Sequence, residues 1–194
     1  LVPYTVTGGP EELVKVKNQI AATANERCRV LHEGLAPWFA LYLFTYFRQA
    51  GVAVVGGSHH YGFLPLVQKP RPDGLFYPED PINWEGVPRT REDAIRFRAM
   101  HQFYGEKLRL DVQARIMLQL ESVRAWKAQG VILMYDRGCG RVSLGMPEVK
   151  LALQRERVPT LSYETNRVDP GEWSWPQVQD SCDTFLEALG VGVA

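Results

Sequence analysis

The chain has 194 residues, 45% hydrophobic and 23% charged, the balance of an ordinary soluble globular domain with material for one good core or two small ones. Its 22 basic and 22 acidic residues cancel, so nothing electrostatic favours nucleic acid or an anionic membrane as a partner. No signal peptide is visible in these residues and no apolar run comes near the roughly 20 residues of a membrane span, and three scattered cysteines without a C-x-x-C point to a reducing, cytoplasmic setting.

In chain order, residues 1–9 read as an irregular lead-in and 10–27 as a helix. Pro10 and Glu11-Glu12 suit its positive end, and Leu13, Val16, Ile20 and Ala24 fall at helical spacing. Residues 1–29 are therefore expected to be a lead-in and linker helix, with one lobe over 30–194. A start at Leu1 rather than Met suggests a piece of something longer. Cys28 to Leu31 reads as a short strand, and Trp38 to Gln49 as an aromatic-rich helix ended by Gly51. Val52 to Val55 is the next strand, followed by Gly56-Gly57-Ser58-His59-His60. The stretch from Leu64 to Arg89 carries Pro65, Pro70, Pro72, Pro78, Pro81 and Pro88 without periodicity. It is open to two readings, a lid, binding loop or subunit contact, and a plain surface insertion.

Thr90 caps the next helix, which is expected to continue, with a break at Gly105, to about Gln129, where Gly130 closes it. Val131 to Tyr135 is a charge-free buried strand. It leads into Asp136-Arg137-Gly138-Cys139-Gly140-Arg141 and then into a helix with Pro147 and Glu148 in its first turn. Val158 to Tyr163 is a second buried strand, and Pro176 to Leu189 a final helix stopped by Gly190. Four strands alternating with helices predict an α/β lobe, with a four-stranded, mainly parallel sheet flanked by helices on both faces. If all four run parallel, their carboxyl ends line one crevice, where open α/β sheets place ligands.

Candidate residues gather at those ends. Cys139 leaves the carboxyl end of a strand, and reads either as a functional thiol or as a packed one. His59 and His60 suit acid–base work or anion binding, or are ordinary loop histidines. Glu33 and Glu164 are site carboxylates or solvated caps. Arg137 and Arg141 could clamp a phosphate or carboxylate, or form surface salt bridges. Cys28 and Cys182 read as buried thiols. The glycines around Cys139 form neither G-x-G-x-x-G nor a P-loop, so no dinucleotide or nucleoside triphosphate site is supported. On these residues alone, a metal-free α/β binding or assembly module stays open. So does an enzyme with Cys139 as nucleophile and His59 or His60 as its base.

A resemblance adds to this. Asp136-Arg137-Gly138-Cys139-Gly140, then Gly145, Glu148, Leu151-Ala152-Leu153, Val158-Pro159 and Ser162-Tyr163-Glu164-Thr165-Asn166, resemble the C-terminal part of benzoyl-CoA reductase subunits. His32-Glu33-Gly34-Leu35-Ala36-Pro37-Trp38 is similar to that family's glutamate-glycine-isoleucine-proline-tryptophan turn. The Thr90 helix start and the closing Asp183 to Gly190 run also fit, and the resemblance extends to the wider 2-hydroxyacyl-CoA dehydratase superfamily. Asp136 stands where asparagine is usual, Gly140 where glutamate is usual and Thr165 where glycine is usual.

The resemblance implies a flavodoxin-like or Rossmann-like C-terminal lobe of a two-lobed subunit. A 4Fe–4S cluster would lie between the lobes on three cysteines, with Cys139 as this lobe's metal ligand. Neither Cys28 nor Cys182 matches a ligand position. His59, His60 and Glu164 are implied as catalytic, substrate-facing groups, and Glu33, Trp38, Arg137 and Asn166 as substrate contacts. The implied partners are a homologous sister subunit, an ATP-dependent activator that donates a low-potential electron, and an acyl-CoA substrate.

Overall fold

The computed structural model of the chain describes residues 25–57, 90–96, 111–166 and 168–192. His59, His60, Gly105 and the proline-rich stretch lie outside the described residues. So does the helix expected over 10–27 except for its last three residues, which are not helical.

Strands β1 (Cys28–Glu33), β2 (Val52–Gly56), β3 (Gly130–Asp136) and β4 (Thr160–Thr165) pair in parallel throughout, in the order β2-β1-β3-β4. The expected α/β lobe with a four-stranded parallel sheet is therefore what forms. Between β1 and β2 lies α1 (Tyr42–Gln49), preceded by a 3-10 turn at Trp38–Ala40. Before β3 come a helical segment over 91–96 and α2 (Val112–Trp126). Between β3 and β4 lie a short helix α3 (Gly140–Ser143) and α4 (Met146–Arg155). A 3-10 turn at Pro170–Glu172 leads from β4 to α5 (Trp175–Ala188).

The strands are apolar on both faces because both are covered. On one face Val30, Ile132, Met134, Leu161 and Tyr163 pack with Leu43, Phe44 and Phe47 of α1 and with Val178, Cys182, Phe185 and Leu186 of α5. On the other, Leu31, Ala53, Val55, Val131 and Leu133 pack with Val123 and Trp126 of α2 and Met146, Val149 and Leu153 of α4. Alternate residues along each strand thus feed opposite cores, as the two-residue strand period requires.

Helix boundaries depart from the sequence expectation at α1, whose helix read from Trp38 is a 3-10 turn before Tyr42, and at the end of α2. α2 stops at Trp126, Lys127 takes a left-handed backbone (φ 51°), and the Ala128 N–H donates to Val123 O at 2.9 Å. Gly130 is instead the first residue of β3. A Cβ there would lie 2.7 Å from Phe185 Cζ, so glycine serves the close approach of α5 to the sheet. α4 ends as α2 does, with Arg157 left-handed and the Val158 N–H donating to Leu153 O at 2.9 Å. That turn occupies Val158 and moves the start of β4 to Thr160.

Candidate functional site

The chain runs from β1 outwards to β2, then crosses to β3 on the other side of β1 and outwards again to β4. The order reverses between β1 and β3, and the crevice beyond their carboxyl ends is where such sheets bind ligands. Gly34 turns the chain out of β1 with φ +103°, its Cα so close to β3 that a Cβ would lie 3.0 Å from Met134 O. β3 continues past that point into Asp136, Arg137, Gly138 and Cys139.

Asp136 organises this loop. It is 3% exposed, its Oδ1 accepts the Gly138 N–H at 2.9 Å and its carbonyl accepts the Cys139 N–H at 3.3 Å. The Asp136 N–H in turn donates to Ser143 Oγ at 2.8 Å, and that hydroxyl donates back to Asp136 O at 2.9 Å. Asparagine would supply the same Oδ1 acceptor, so aspartate at this position keeps the turn. Cys139 is then the N-cap residue of α3, half-buried, with its carbonyl accepting from Val142 and Ser143. At Gly140 a Cβ would meet nothing within 4 Å, which leaves open space beside the thiol's residue.

Glu33 lies on the face covered by α2, with its side chain 1% exposed and Oε1 3.2 Å from Arg115 Nη2. Its carboxylate is thus turned into the core beneath the crevice. His32, its neighbour, faces the opposite core, and its Nε2 is hydrogen-bonded to the Tyr163 hydroxyl at 2.8 Å across β3. Tyr163 packs edge-on against Trp173 at 5.8 Å, Trp173 against Phe39 and Tyr42, and Tyr42 against Trp175. These rings form an aromatic wall that reaches from β4 to α1, and Trp38, next to Phe39 in the chain, is 60% exposed.

Arg137 lies in the open, bonded through Nε to Glu164 Oε2 at 3.1 Å, while its Nη1 is 3.6 Å from Glu172 Oε2. Such exposed pairs contribute little, so the guanidinium can exchange them for a ligand anion at small cost. Asn166, at the end of β4, accepts the Val168 N–H on Oδ1 at 3.2 Å, and the same oxygen borders Gly138. Burial first, then the carboxylates of Glu148 and Glu164, push the Tyr135 phenol upwards, so it remains a proton donor at neutral pH. The structure therefore brings Cys139, Arg137, Glu164 and Asn166 to one edge, places Trp38 beside it and Glu33 under it. Arg115, Ser143, His32 and Tyr163 were not singled out in the sequence. The buried face of α2 carries the polar residues Arg115, Gln119 and Ser122, so its sequence shows no clean apolar stripe, and no local pattern announces a partner on another element.

The other two thiols are elsewhere. Cys28 opens β1 at the amino edge, and Cys182 lies in the core under α5. Burial pushes Cys28 up to about 11 and Cys182 up to about 12. Alkylation of the native chain at about pH 8 is expected to give one adduct, on Cys139, readable by mass and peptide mapping. Equal labelling at Cys28 or Cys182 in the folded state would contradict this placement. Because both folded values lie above the unfolded value of about 8.5, their contribution to stability is complete below about pH 8.5. It is lost progressively as pH rises from there through the folded values of about 11 and about 12, so unfolding midpoints should fall across that whole range.

Among the described residues, no group of three or more His, Cys, Asp or Glu side chains is placed to hold a metal ion, and no helix is long and apolar enough to cross a membrane. A comparison with curated proteins gives no match. A sequence model of the family described as 2-hydroxyglutaryl-CoA dehydratase, D-component, matches residues 5–189, nearly the whole length and every described element. The crevice, its cysteine loop and this match agree with the resemblance read from the Asp136 to Gly140 run, and the chain belongs to the 2-hydroxyglutaryl-CoA dehydratase D-component family.

Proposed function

We propose that the chain is the C-terminal lobe of an iron–sulfur subunit that acts on acyl-CoA thioesters, with Cys139 as one thiolate ligand of a 4Fe–4S cluster. The observation that carries this is Cys139, a half-buried thiol in a glycine-flanked loop at the carboxyl end of β3, inside a family match over residues 5–189. The donor chemistry fits as one corner of a cluster. A cysteine presented at a crevice suits iron, and Gly138 and Gly140 keep bulk away from it. The described residues hold no group of three such donors, so the other ligands would come from protein outside them. When bound, such a cluster supplies one-electron chemistry at a potential set by its ligands and solvent access.

The chain's own residues would do the rest. Arg137 would leave Glu164 and Glu172 to take an anionic group of the thioester, and Asn166 and Trp38 would line its path. Glu164, released from Arg137, would hold or accept a proton at the crevice, with His59 and His60 in the same service. Glu33 would brace the crevice from below and contact substrate only if its pairing with Arg115 gave way. The aromatic wall of Phe39, Tyr42 and Trp173 would exclude water from that side. Within the family, the Asp136-Arg137-Gly138-Cys139 run favours a benzoyl-CoA reductase type over a 2-hydroxyacyl-CoA dehydratase. A sister subunit and an ATP-dependent electron donor would complete the enzyme.

The test is iron and sulfide content of the complete subunit, purified without oxygen, beside its Cys139→Ser variant. About four irons per subunit, lost or degraded to a smaller cluster in the variant, are expected. An intact subunit that takes up no iron on reconstitution would sink the reading. Turnover of benzoyl-CoA against a 2-hydroxyacyl-CoA then separates the two substrate classes.

A further inference from the structure

The cysteine loop is anchored from outside its own strand and helix. α3 has only four residues and cannot hold its shape by itself, and its last carbonyls lack partners within the helix. Arg115, on α2, reaches over and satisfies them. Its guanidinium donates to Val142 O at 2.8 Å, to Leu144 O, and to Glu33 Oε1 at 3.2 Å. The Arg115 side chain is 4% exposed, so this cation is committed to those acceptors and not shared with water. It also sits at the negative end of α3, where a positive charge is favourable. At the other end Cys139 O accepts the N–H groups of Val142 and Ser143, at 3.0 Å and 3.3 Å. A displacement of α3 therefore carries Cys139 with it.

We infer that Arg115, braced by Glu33, is the positioning residue for the Cys139 loop, fixing the thiol's place relative to β1 through the planar fork of its guanidinium. Its catalytic consequence rests on the reading of Cys139 as a cluster ligand, but the geometry does not. Lysine keeps the charge opposite Glu33 and cannot present the planar fork that spans the carboxylate and the Val142 and Leu144 carbonyls. Arg115→Lys should therefore fold while releasing α3, whereas Arg115→Met removes the charge as well.

The experiment uses the full-length metal-free chain and reads hydrogen exchange together with the rate of Cys139 alkylation by iodoacetamide. In Arg115→Lys, exchange at the Val142, Ser143 and Leu144 amides and alkylation of Cys139 are each expected to rise about tenfold, with the β3 amides of Ile132 to Met134 unchanged. Equal acceleration in α3 and β3 would mean that Arg115 only stabilises the lobe, and would overturn the proposal. Unchanged α3 exchange would overturn it as well. If Arg115→Met does not fold, the lysine variant still decides. A second arm loads the complete subunit with iron, where Arg115→Lys should alter the cluster's electron paramagnetic resonance signature at unchanged iron content. Success in the metal-free arm with a wild-type subunit that binds no iron would uphold the positioning role and refute the cluster reading alone.

Discussion

Glu33→Ala is expected to lower the unfolding free energy by about 3–5 kcal/mol, because it leaves the Arg115 cation buried without its carboxylate. The Coulombic attraction of the pair is not what sets this figure. Burying two charges costs about as much as their attraction returns, and the damage comes from removing one and stranding the other. Arg115 keeps Val142 O and Leu144 O as partners in the variant, which favours the lower end of the range. A double variant, Glu33→Gln with Arg115→Met, removes both charges and should recover much of the loss. Urea unfolding of the wild type, Glu33→Gln, Arg115→Met and the double variant gives the coupling directly, provided the slope against denaturant stays constant. A Glu33→Ala loss under about 1 kcal/mol would show that water reaches Arg115 after the change, and that the pair is not sealed.

Trp126→Ala is expected to cost about 3–5 kcal/mol through a cavity at the inner end of α2. Trp126 is fully buried, the largest such side chain among the described residues, and packs in the core with Leu31, Ala53, Val55 and Val123. Strands β1 and β2 and helix α2 meet there, and the backbone turn at Lys127 leaves little freedom to collapse into the space. At roughly 2–4 °C per kcal/mol for a chain of this size, the melting temperature should fall by about 6–20 °C. A shift under about 3 °C would mean the site refills and that α2 is not fixed by this ring. Both variants act on α2, and through Arg115 on the cysteine loop, so their effects should be measured on Cys139 alkylation as well as on stability.

Much of this was legible in the chain itself. Val131 to Tyr135 and Val52 to Val55 could be recognised as strands because a sheet covered on both faces needs unbroken apolar runs. Gly51 and Gly190 could be recognised as helix ends because a left-handed residue there favours glycine, and both have positive φ. The same logic misplaced the end of α2, since Lys127 takes the left-handed turn without being glycine and Gly130 answers to Phe185 instead. The alternation of strands and helices by itself implies that Cys139, Arg137, Glu164 and Asn166 lie at the carboxyl edge.

Sequence by itself determined the layered α/β lobe, its parallel sheet and the family, because these follow from local periodicity and from short motifs. Only the tertiary structure decided which residues meet across that frame. The order β2-β1-β3-β4 puts β1 beside β3 and so makes the crevice. Glu33 meets Arg115 across 82 positions, and His32 meets Tyr163 across 131. Contacts at such separations depend on strand order and helix packing, which no local pattern encodes, and they set Glu33 against Arg115 in the core beneath the carboxyl ends of the strands.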